Sequence, residues 1–300
     1  MIVLKEHIVP SNTVSIRIYD YIGGIFTIIP SRKALKKTID RGEILIDGIA
    51  AKTGTWINSG QVIQLIDLEL NPPKAFDFPL EVVYEDEWLA VVNKPAGIVV
   101  SGNIYKTMVN ILQANITPSK EEDALKWARP VHRLDSQTSG LLLVAKTAHA
   151  QMSLGQQFEN KEIKKRYIAI VVGKVDSHGF VNIPIEGKES FTEYSLIKTF
   201  QSLKTEWLSL VNLFPHTGRT HQLRIHMASI NHPILGDKLY GMDFPILKNK
   251  GLFLCSTEIS FTHPKTQNKC TIKIDAPSKF NTFIEREIKR WKRYDNINTA

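Results

Sequence analysis

The chain has 300 residues, of which 43% are apolar, and its formal net charge is +8 with a pI near 9.3. This length and composition exclude a disordered or fibrous protein, and they allow one large domain together with a small one. The positive charge favours a polyanionic partner, but it does not distinguish RNA from DNA or from an acidic membrane.

The first 70 residues predict a small unit of their own. Ser31 can cap a short helix, RKALKKTID, and Gly42 can end it. One side of this helix is basic and carries Arg32, Lys33, Lys36 and Lys37. The segments EILIDG and GQVIQLID follow, and their alternating apolar and polar residues are typical of half-buried strands. A basic helix before a compact β portion indicates a small RNA-binding module at residues 1–70.

Residues 71–80, NPPKAFDFPL, contain three prolines and show neither helical nor strand periodicity, so they predict an extended linker. Beyond the linker, runs of β-branched and aromatic residues predict many strands: EVVYEDEWLAVVNKP, GLLLVAK, KKRYIAIVVG, EWLSLVNLF, GLFLCSTEISF and CTIKI. Helices are expected at about 107–114, 147–160 and 220–230. Because strands and helices do not alternate strictly, the sequence predicts an α+β domain at 81–295 with a mostly antiparallel, mixed sheet.

The last predicted helix follows Pro277 and begins at Ser278. Phe280, Phe283, Ile284 and Ile288 recur on one face, which indicates docking onto a core. The stretch 278–294 also carries six Lys or Arg against two Glu. Two interpretations stay open for these cations, contact with phosphate groups or an ordinary solvated helix face.

The cysteines and the start of the chain bear on its compartment. Cys255 and Cys270 are the only cysteines and form no C-x-x-C pair, which argues against a disulfide framework. The opening residues MIVLKEHIVPSN show no secretory signal, and no segment approaches the ~20 apolar residues that cross a bilayer. We therefore expect a cytoplasmic, soluble protein with no membrane partner, and a monomer.

Several familiar site types lack their motifs. The sequence contains no G-x-x-x-x-G-K-[ST], no G-x-G-x-x-G and no H-E-x-x-H. His216, His221, His226 and His232 recur at intervals of five, five and six, which does not place them on one helical face. We expect neither a metal site nor a phosphate-cradling nucleotide site.

The stretch RPVHRLDSQTSGLLLVAK at 129–146 contains a single acid, Asp135, between basic and hydroxyl-bearing residues. A lone Asp before such residues is most often a turn former. A second stretch, HTGRTHQLRIH at 216–226, is too polar for a core and follows a predicted strand. Its Arg224 is a candidate bidentate partner that would keep a partly buried Asp135 ionised, which makes a catalytic role the alternative interpretation.

Three segments together resemble the RluA/RluD-type RNA pseudouridine synthases. They are VHRLDSQTSGLLLVAK at 131–146, KRYIAIVVG at 165–173 and TGRTHQLRIH at 217–226, in the family's order and at similar separations. The flanking pieces VVYEDEWLAVVNKPAG and HPILGDKLYG also match. Residues 15–68 resemble the RNA-binding domain named after ribosomal small-subunit protein four, through Ser31, Arg32, Gly42, Gly48 and Gly60 among others.

The resemblance implies a pseudouridine synthase fold and the isomerisation of uridine in RNA to pseudouridine, without cofactor or metal. It implies that Asp135 is the essential carboxylate, that Arg224 is its ion-pair partner and that Tyr167 stacks on the target base. Leu223 corresponds to an apolar position beside that base. Arg133 matches a residue that occupies the space left by the flipped uridine, with His132 as a support.

Other residues are expected to hold the RNA backbone. Lys165 and Arg166, directly before Tyr167, are candidates, although they also fit a solvated strand edge. Ser101 and Gly102 stand where the family commonly has His-Pro, so the target preference of relatives is not carried over. The RNA partner is expected to be large-subunit rRNA, with tRNA as a second possibility. The alternative function is a catalytically silent RNA-binding factor of ribosome assembly with the same fold.

Overall fold

The computed structural model describes residues 2–26, 28–29, 31–67, 73–241 and 250–298. The predicted linker lies partly outside the described residues, at 71 and 72, and residues 73–80 form neither helix nor strand. No described helix combines the length and apolar character that crossing a bilayer requires.

The N-terminal unit, residues 2–67, has its own sheet and its own core. Its elements are β1 (Ile2–Ile8), β2 (Ile16–Arg17), α1 (Ile18–Tyr21), α2 (Arg32–Asp40), β3 (Ile44–Ile46), β4 (Ile49–Ala50), β5 (Trp56–Ile57) and β6 (Val62–Asp67). The strand order is β1-β6-β3-β4, and β2 pairs separately with β5. Leu35 and Ile39 of α2 pack against Ile44 and Ile63 in this core. The apolar stripe of RKALKKTID therefore faces inward and its basic side faces solvent.

Helix α2 begins as the sequence predicts. The Ser31 hydroxyl accepts a hydrogen bond from the Ala34 backbone N–H at 3.2 Å, which satisfies one of the free donors at the helix start. The helix ends at Asp40, and Gly42 adopts φ +74°, a conformation that favours glycine.

The remaining elements build one large sheet with helices on both of its faces. Its strands are β7 (Glu81–Glu85), β8 (Leu89–Lys94), β9 (Ala124–Pro130), β10 (Ser139–Thr147), β11 (Lys164–Val172), β12 (His178–Val181), β13 (Thr192–Ser202), β14 (Glu206–Pro215), β15 (Leu254–Thr262) and β16 (Lys269–Lys273). The helices are α3 (Met108–Asn115), α4 (Ala148–Glu159), α5 (Gln222–Ser229) and α6 (Lys279–Asn298). The order is β12-β13-β14-β11-β15-β10-β8-β7, with β16 on β15 and β9 on β10.

The sheet is mixed, as the sequence predicts, because one pairing of its described strands is parallel. Strand β10 runs parallel to β15 over only two residue pairs, Ser139 with Cys255 and Gly140 with Ser256. Gly140 has φ +110°, and a Cβ atom there would lie 2.1 Å from the Ser256 carbonyl oxygen. Only glycine fits this close approach of two backbones. The α+β class is confirmed.

The side chains of β11 alternate between the two faces of the sheet. Tyr167, Ala169 and Val171 point into one core, which also receives Leu223 and Met227 from α5. Ile168, Ile170 and Val172 point into the opposite core, where Phe280, Phe283 and Ile284 of α6 pack. Helix α5 and the residue before it therefore share a face with Tyr167, and α6 covers the other face.

Candidate active site

A cavity of about 260 Å³ opens on the face of the sheet that carries Tyr167. Three separate segments line it, at 131–138, at 165 and 167, and at 215–224, together with Phe158 and Leu254. The structure thus brings together seven residues that the sequence singled out: His132, Arg133, Asp135, Lys165, Tyr167, Leu223 and Arg224. A larger cavity of about 1060 Å³ lies elsewhere, between α2 and Trp88, and none of these seven residues lines it.

Asp135 begins a tight turn that a buried lysine holds in place. The Thr138 N–H donates to the Asp135 carbonyl at 3.1 Å, and the Gly97 N–H donates to the Ser136 carbonyl at 2.6 Å. The fully buried Lys94 ammonium donates to three carbonyls, those of Pro95 (2.8 Å), Ile98 (2.7 Å) and Ser136 (3.2 Å). Burial lowers the pKa of Lys94 to about 8, against the opposing effect of the nearby Asp135 charge.

The expectation that Arg224 is the bidentate partner of Asp135 is wrong. Arg224 Nε and Nη2 donate to the two carboxylate oxygens of Asp237 at 2.7 and 2.8 Å, whereas Nη1 lies 3.7 Å from Asp135 Oδ2. The physical reason is burial. The Asp237 side chain has no exposed surface, while that of Asp135 is 18% exposed and faces the cavity. The planar guanidinium edge therefore serves the carboxylate that water cannot solvate.

The Arg224–Asp237 pair is ionised on both sides. Burial by itself would raise the pKa of Asp237, but hydrogen bonds from Arg224 and from the backbone of Leu239 and Tyr240 outweigh it, so the pKa lies below its usual range. Burial likewise opposes the charged form of Arg224, and the two carboxylates Asp237 and Asp135 raise its pKa in spite of this. Asp135 consequently faces a guanidinium that stays cationic.

Two further side chains complete this corner of the cavity. His221 Nε2 lies 3.9 Å from Asp135 Oδ1, and His221 Nδ1 lies 3.0 Å from the Tyr240 hydroxyl. The Tyr240 ring also lies under the Arg224 guanidinium, with its centroid 5.1 Å from Cζ. Arg224 of α5 and His221 before it line this corner of the cavity, and Asp237 and Tyr240 contact them without lining it.

Sequence reasoning assigned no role to four of these residues: Lys94, His221, Asp237 and Tyr240. A signal existed for all four, because Lys94 lies in NKPAG, His221 in TGRTHQLRIH, and Asp237 and Tyr240 in HPILGDKLYG, three segments that resemble the family. Their contact partners lie up to 86 positions away, as His221 does from Asp135, so spacing along the chain did not reveal the contacts.

Tyr167 both fills the core and lines the cavity. It is buried and belongs to the cluster that includes Leu213 and Leu223. Burial raises the pKa of its phenol well above the ordinary value, the Asp135 charge adds to this, and a hydrogen bond with Ser256 opposes it. The phenol therefore stays protonated at neutral pH. Leu223 is also buried and provides an apolar wall of the cavity.

His132 and Arg133 differ although they are adjacent. His132 Nε2 accepts the Leu143 backbone N–H at 3.0 Å, and its ring packs on Phe158 at 4.8 Å between centroids. Burial and the charge of Lys165 lower the pKa of His132 to about 3, so the ring is neutral and supports the loop. Arg133 is exposed at the rim of the cavity.

The basic residues before Tyr167 lie on different faces of β11. Lys165 lines the cavity beside Phe158, and burial lowers its pKa. Arg166 does not line the cavity; it lies 3.2 Å from Glu258 and contacts Asn212. Arg32, Lys33, Lys36 and Lys37 are all exposed on α2 and do not line this cavity either. Among the described residues, no group of three or more His, Cys, Asp or Glu is arranged to hold a metal ion.

The chain resembles known proteins in sequence and in fold. Residues 88–229 match the family model described as RNA pseudouridylate synthase. The ribosomal large subunit pseudouridine synthase D of Xylella fastidiosa is 37% identical over 233 residues, which cover 70% of this chain and 67% of that protein. An uncharacterized RNA pseudouridine synthase of Aquifex aeolicus is 31% identical over 280 residues, covering 84% of this chain and 88% of that protein.

A solved structure supports the same assignment. Human RNA pseudouridylate synthase domain containing 1 is 25% identical, with a TM-score of 0.54, over 66% of this chain and 84% of that chain. The matched segment at 88–229 contains all seven cavity residues that the sequence singled out. The chain therefore belongs to the RNA pseudouridine synthase family and is an isomerase that converts uridine in RNA to pseudouridine.

Proposed function

We propose that Asp135 is the essential carboxylate of this enzyme and that its substrate is large-subunit rRNA. The observation that supports the catalytic role is the meeting of Asp135, Arg224, Tyr167 and Leu223 around one cavity. The isomerisation breaks the bond from ribose C1′ to N1, forms a bond from C1′ to C5, and moves a proton from C5 to solvent while N1 gains one. Attack on the sugar, attack on the base and removal of a sugar proton all require an ionised carboxylate held in one orientation. Asp135 lies 3.7 Å from the Arg224 cation, the contact that we propose orients it.

The other cavity residues then act on the base and the strand around it. The target uridine leaves its stack at a cost of a few kcal/mol, which protein groups offset by contacting the base and filling the gap. Tyr167 and Leu223 are the buried surfaces available to the base, and Tyr167 acts as a neutral phenol. Arg133, exposed at the rim, enters the space that the uridine vacates, and Lys165 binds the adjoining backbone.

The N-terminal unit is proposed to hold the RNA outside the cavity. Arg32, Lys33, Lys36 and Lys37 lie exposed on one short helix, an arrangement that suits phosphate contact. Residues 1–70 then act as the RNA-binding domain, 71–80 as the linker and 81–295 as the catalytic domain. Arg166 is assigned no RNA contact, because it is engaged with Glu258.

The identity of the RNA rests on the relatives. Curated relatives from Xylella fastidiosa and Nitrosomonas europaea, 37% and 31% identical, carry the name ribosomal large subunit pseudouridine synthase D. Deleting the gene should remove one or more pseudouridines from large-subunit rRNA, as mapped by carbodiimide adducts and reverse transcription. Loss of pseudouridine from tRNA alone, with the rRNA map unchanged, would refute the assignment of the RNA.

Asp135→Asn tests the catalytic proposal. We expect it to abolish pseudouridine formation in purified RNA while the Kd for RNA changes less than about tenfold, because phosphate contacts supply most of the binding free energy. Tritium release from C5-labelled uridine measures turnover, and filter binding measures Kd. Turnover retained by this variant would refute the role of Asp135. A wild-type protein that binds RNA without turnover would instead identify a silent binding factor.

Removing two cationic side chains from α2 tests the role of the N-terminal unit. Arg32→Ala with Lys36→Ala should weaken RNA binding and reduce the slope of log Kd against log salt by about 1–2, since each phosphate contact contributes roughly 0.7–0.9. The matched control is Lys5→Ala with Lys52→Ala, which removes the same charge from exposed positions of the same unit outside α2. Equal slopes for both double variants would refute phosphate contact by α2.

A further inference from the structure

Arg224 leaves one side of Asp135 without a partner. Its Nε and Nη2 atoms are engaged with Asp237, so only Nη1 is directed at Asp135, and it faces Oδ2 at 3.7 Å. The other carboxylate oxygen, Oδ1, is faced by His221 Nε2 at 3.9 Å. The two oxygens of Asp135 therefore each face a different nitrogen, from two different side chains.

We infer that His221, oriented by Tyr240, is a second positioning residue for Asp135, an inference that rests on the catalytic role proposed for that carboxylate. The Tyr240 hydroxyl lies 3.0 Å from His221 Nδ1, and in the proposed arrangement the hydroxyl is the donor of this hydrogen bond. A neutral imidazole that accepts at Nδ1 carries its proton on Nε2, the nitrogen directed at Asp135. Tyr240 thus selects the tautomer in which His221 presents an N–H to Oδ1 across 3.9 Å. We expect this contact to shorten to a hydrogen bond when substrate is bound.

The backbone of His221 supports this role. It has φ +57°, a left-handed conformation that is uncommon for residues other than glycine and costs on the order of 1 kcal/mol or more. His221 precedes α5 at the N-cap position, where a side chain usually accepts a hydrogen bond from the helix start, yet it makes no such bond. The histidine therefore does not serve to cap the helix, and its two ring nitrogens are directed at Tyr240 and Asp135 instead.

Tyr240 is fixed from two directions, so it can orient the histidine. Asp237 Oδ1 accepts the backbone N–H groups of Leu239 and Tyr240 at 2.9 and 3.1 Å, which holds the turn. The Tyr240 ring packs against the Arg224 guanidinium. The same short turn consequently orients Arg224 through Asp237 and His221 through Tyr240. Arg224 and His221 in turn face the two carboxylate oxygens of Asp135.

The tautomer gives a test that does not depend on turnover. In wild-type protein labelled with ¹⁵N-histidine, two-bond ¹H–¹⁵N correlations should show His221 as the Nε2–H tautomer, with the signal assigned by its loss in His221→Gln. Tyr240→Phe should shift His221 toward the Nδ1–H tautomer or a mixture of the two. An Nδ1–H tautomer in the wild type, or an unchanged tautomer in Tyr240→Phe, would overturn the inference.

Single-turnover rates test the consequence, with a C5-tritiated large-subunit rRNA transcript as the probe. We expect Tyr240→Phe to react about three- to tenfold more slowly and His221→Ala about ten- to one hundredfold more slowly, each with an RNA Kd within threefold of wild type. His221→Gln, which keeps an N–H donor, should recover at least threefold over His221→Ala. Equal rates for the Ala and Gln variants would overturn the positioning role.

A control variant separates positioning from general destabilisation. Tyr84→Phe also removes a hydroxyl that donates to a neighbouring side chain, Asp86 at 2.7 Å, but it lies outside the cavity and should leave the rate unchanged. A rate loss in Tyr84→Phe equal to that in Tyr240→Phe would refute the inference. Turnover retained by Asp135→Asn, by contrast, would refute the catalytic role proposed for Asp135. The tautomer measurement does not depend on turnover and would still test whether Tyr240 orients His221.

Discussion

Replacing Asp237 by Asn should destabilise the protein far more than replacing Asp135 by Asn, although both carboxylates face Arg224. Asp237 is fully buried and makes two charge-assisted hydrogen bonds of 2.7 and 2.8 Å to a guanidinium that is only 7% exposed. The amide leaves a buried cation without a counter-charge and directs an NH₂ group at an N–H donor. Breaking a buried pair in this way costs about 3–5 kcal/mol.

The corresponding change at Asp135 is small. Its carboxylate is 18% exposed and lies 3.7 Å from Arg224, so its removal should change the free energy of unfolding by no more than about 1 kcal/mol. At about 2–4 °C per kcal/mol for a unit of this size, Asp237→Asn should lower Tm by roughly 6–20 °C and Asp135→Asn by less than about 4 °C. Both variants should lose activity, the first through misplaced Arg224 and the second through loss of the carboxylate itself.

The pH dependence has a definite sign. Because the pKa of folded Asp237 lies below its ordinary value of 3.8, its contribution is complete above that value and is lost as the pH falls through the folded pKa. Urea unfolding of the wild type from pH 7 to pH 3 should therefore show an acid loss of stability that is smaller in Asp237→Asn. Equal Tm values for the Asp135 and Asp237 variants at pH 7 would refute the assignment of Arg224 to Asp237.

Two substitutions outside the Arg224 contacts are expected to act through burial and backbone geometry. His132→Gln should remove an acid-induced loss of stability, because the unfolded histidine takes up a proton below about pH 6.5 and the folded one only near pH 3. In urea unfolding, the wild type should lose roughly 2–3 kcal/mol more than the variant between pH 7.5 and pH 4.5. Gly140→Ala should lower the free energy of unfolding by about 1–3 kcal/mol or more, since the added Cβ meets a backbone oxygen. Gly155→Ala in α4, where nothing lies within 4 Å, should raise it by up to about 1 kcal/mol, and equal shifts in Tm would contradict the close approach of β10 and β15.

The sequence predicted the strands that are buried on both faces. The apolar runs at 141–145 and 167–172 become central strands because both of their faces are covered. The long strand β13 was not predicted, because TEYSLIKTFQS mixes polar and apolar residues and its register shifts between Leu196 and Lys198. Strand β1 was also not predicted, because IVLKEHI does not alternate apolar and polar residues.

The motifs predicted which residues meet at the candidate site, but not which of their charged side chains pair with one another. Proximity of Asp135 and Arg224 followed from the resemblance, yet the choice of Asp237 as bidentate partner depends on which carboxylate is buried, and no spacing along the chain encodes that. The position of Arg166 was within reach of the sequence. In a strand, side chains alternate between faces, so a residue adjacent to Tyr167 points away from the cavity that Tyr167 lines.

The placement of Asp237 and Tyr240 late in the chain has a consequence for the timing of synthesis. A ribosome adding roughly 5–20 residues per second reaches Tyr240 about 5–20 s after Asp135. During that interval the basic N-terminal helix has already emerged, while the carboxylate has neither Arg224 nor the turn that orients it, and β15, which supports β10 and β11, is still to come. Because the site depends on contacts so distant in sequence, it forms only with the completed sheet. On the RNA-binding role proposed for α2, a nascent chain would bind RNA before it is able to modify any.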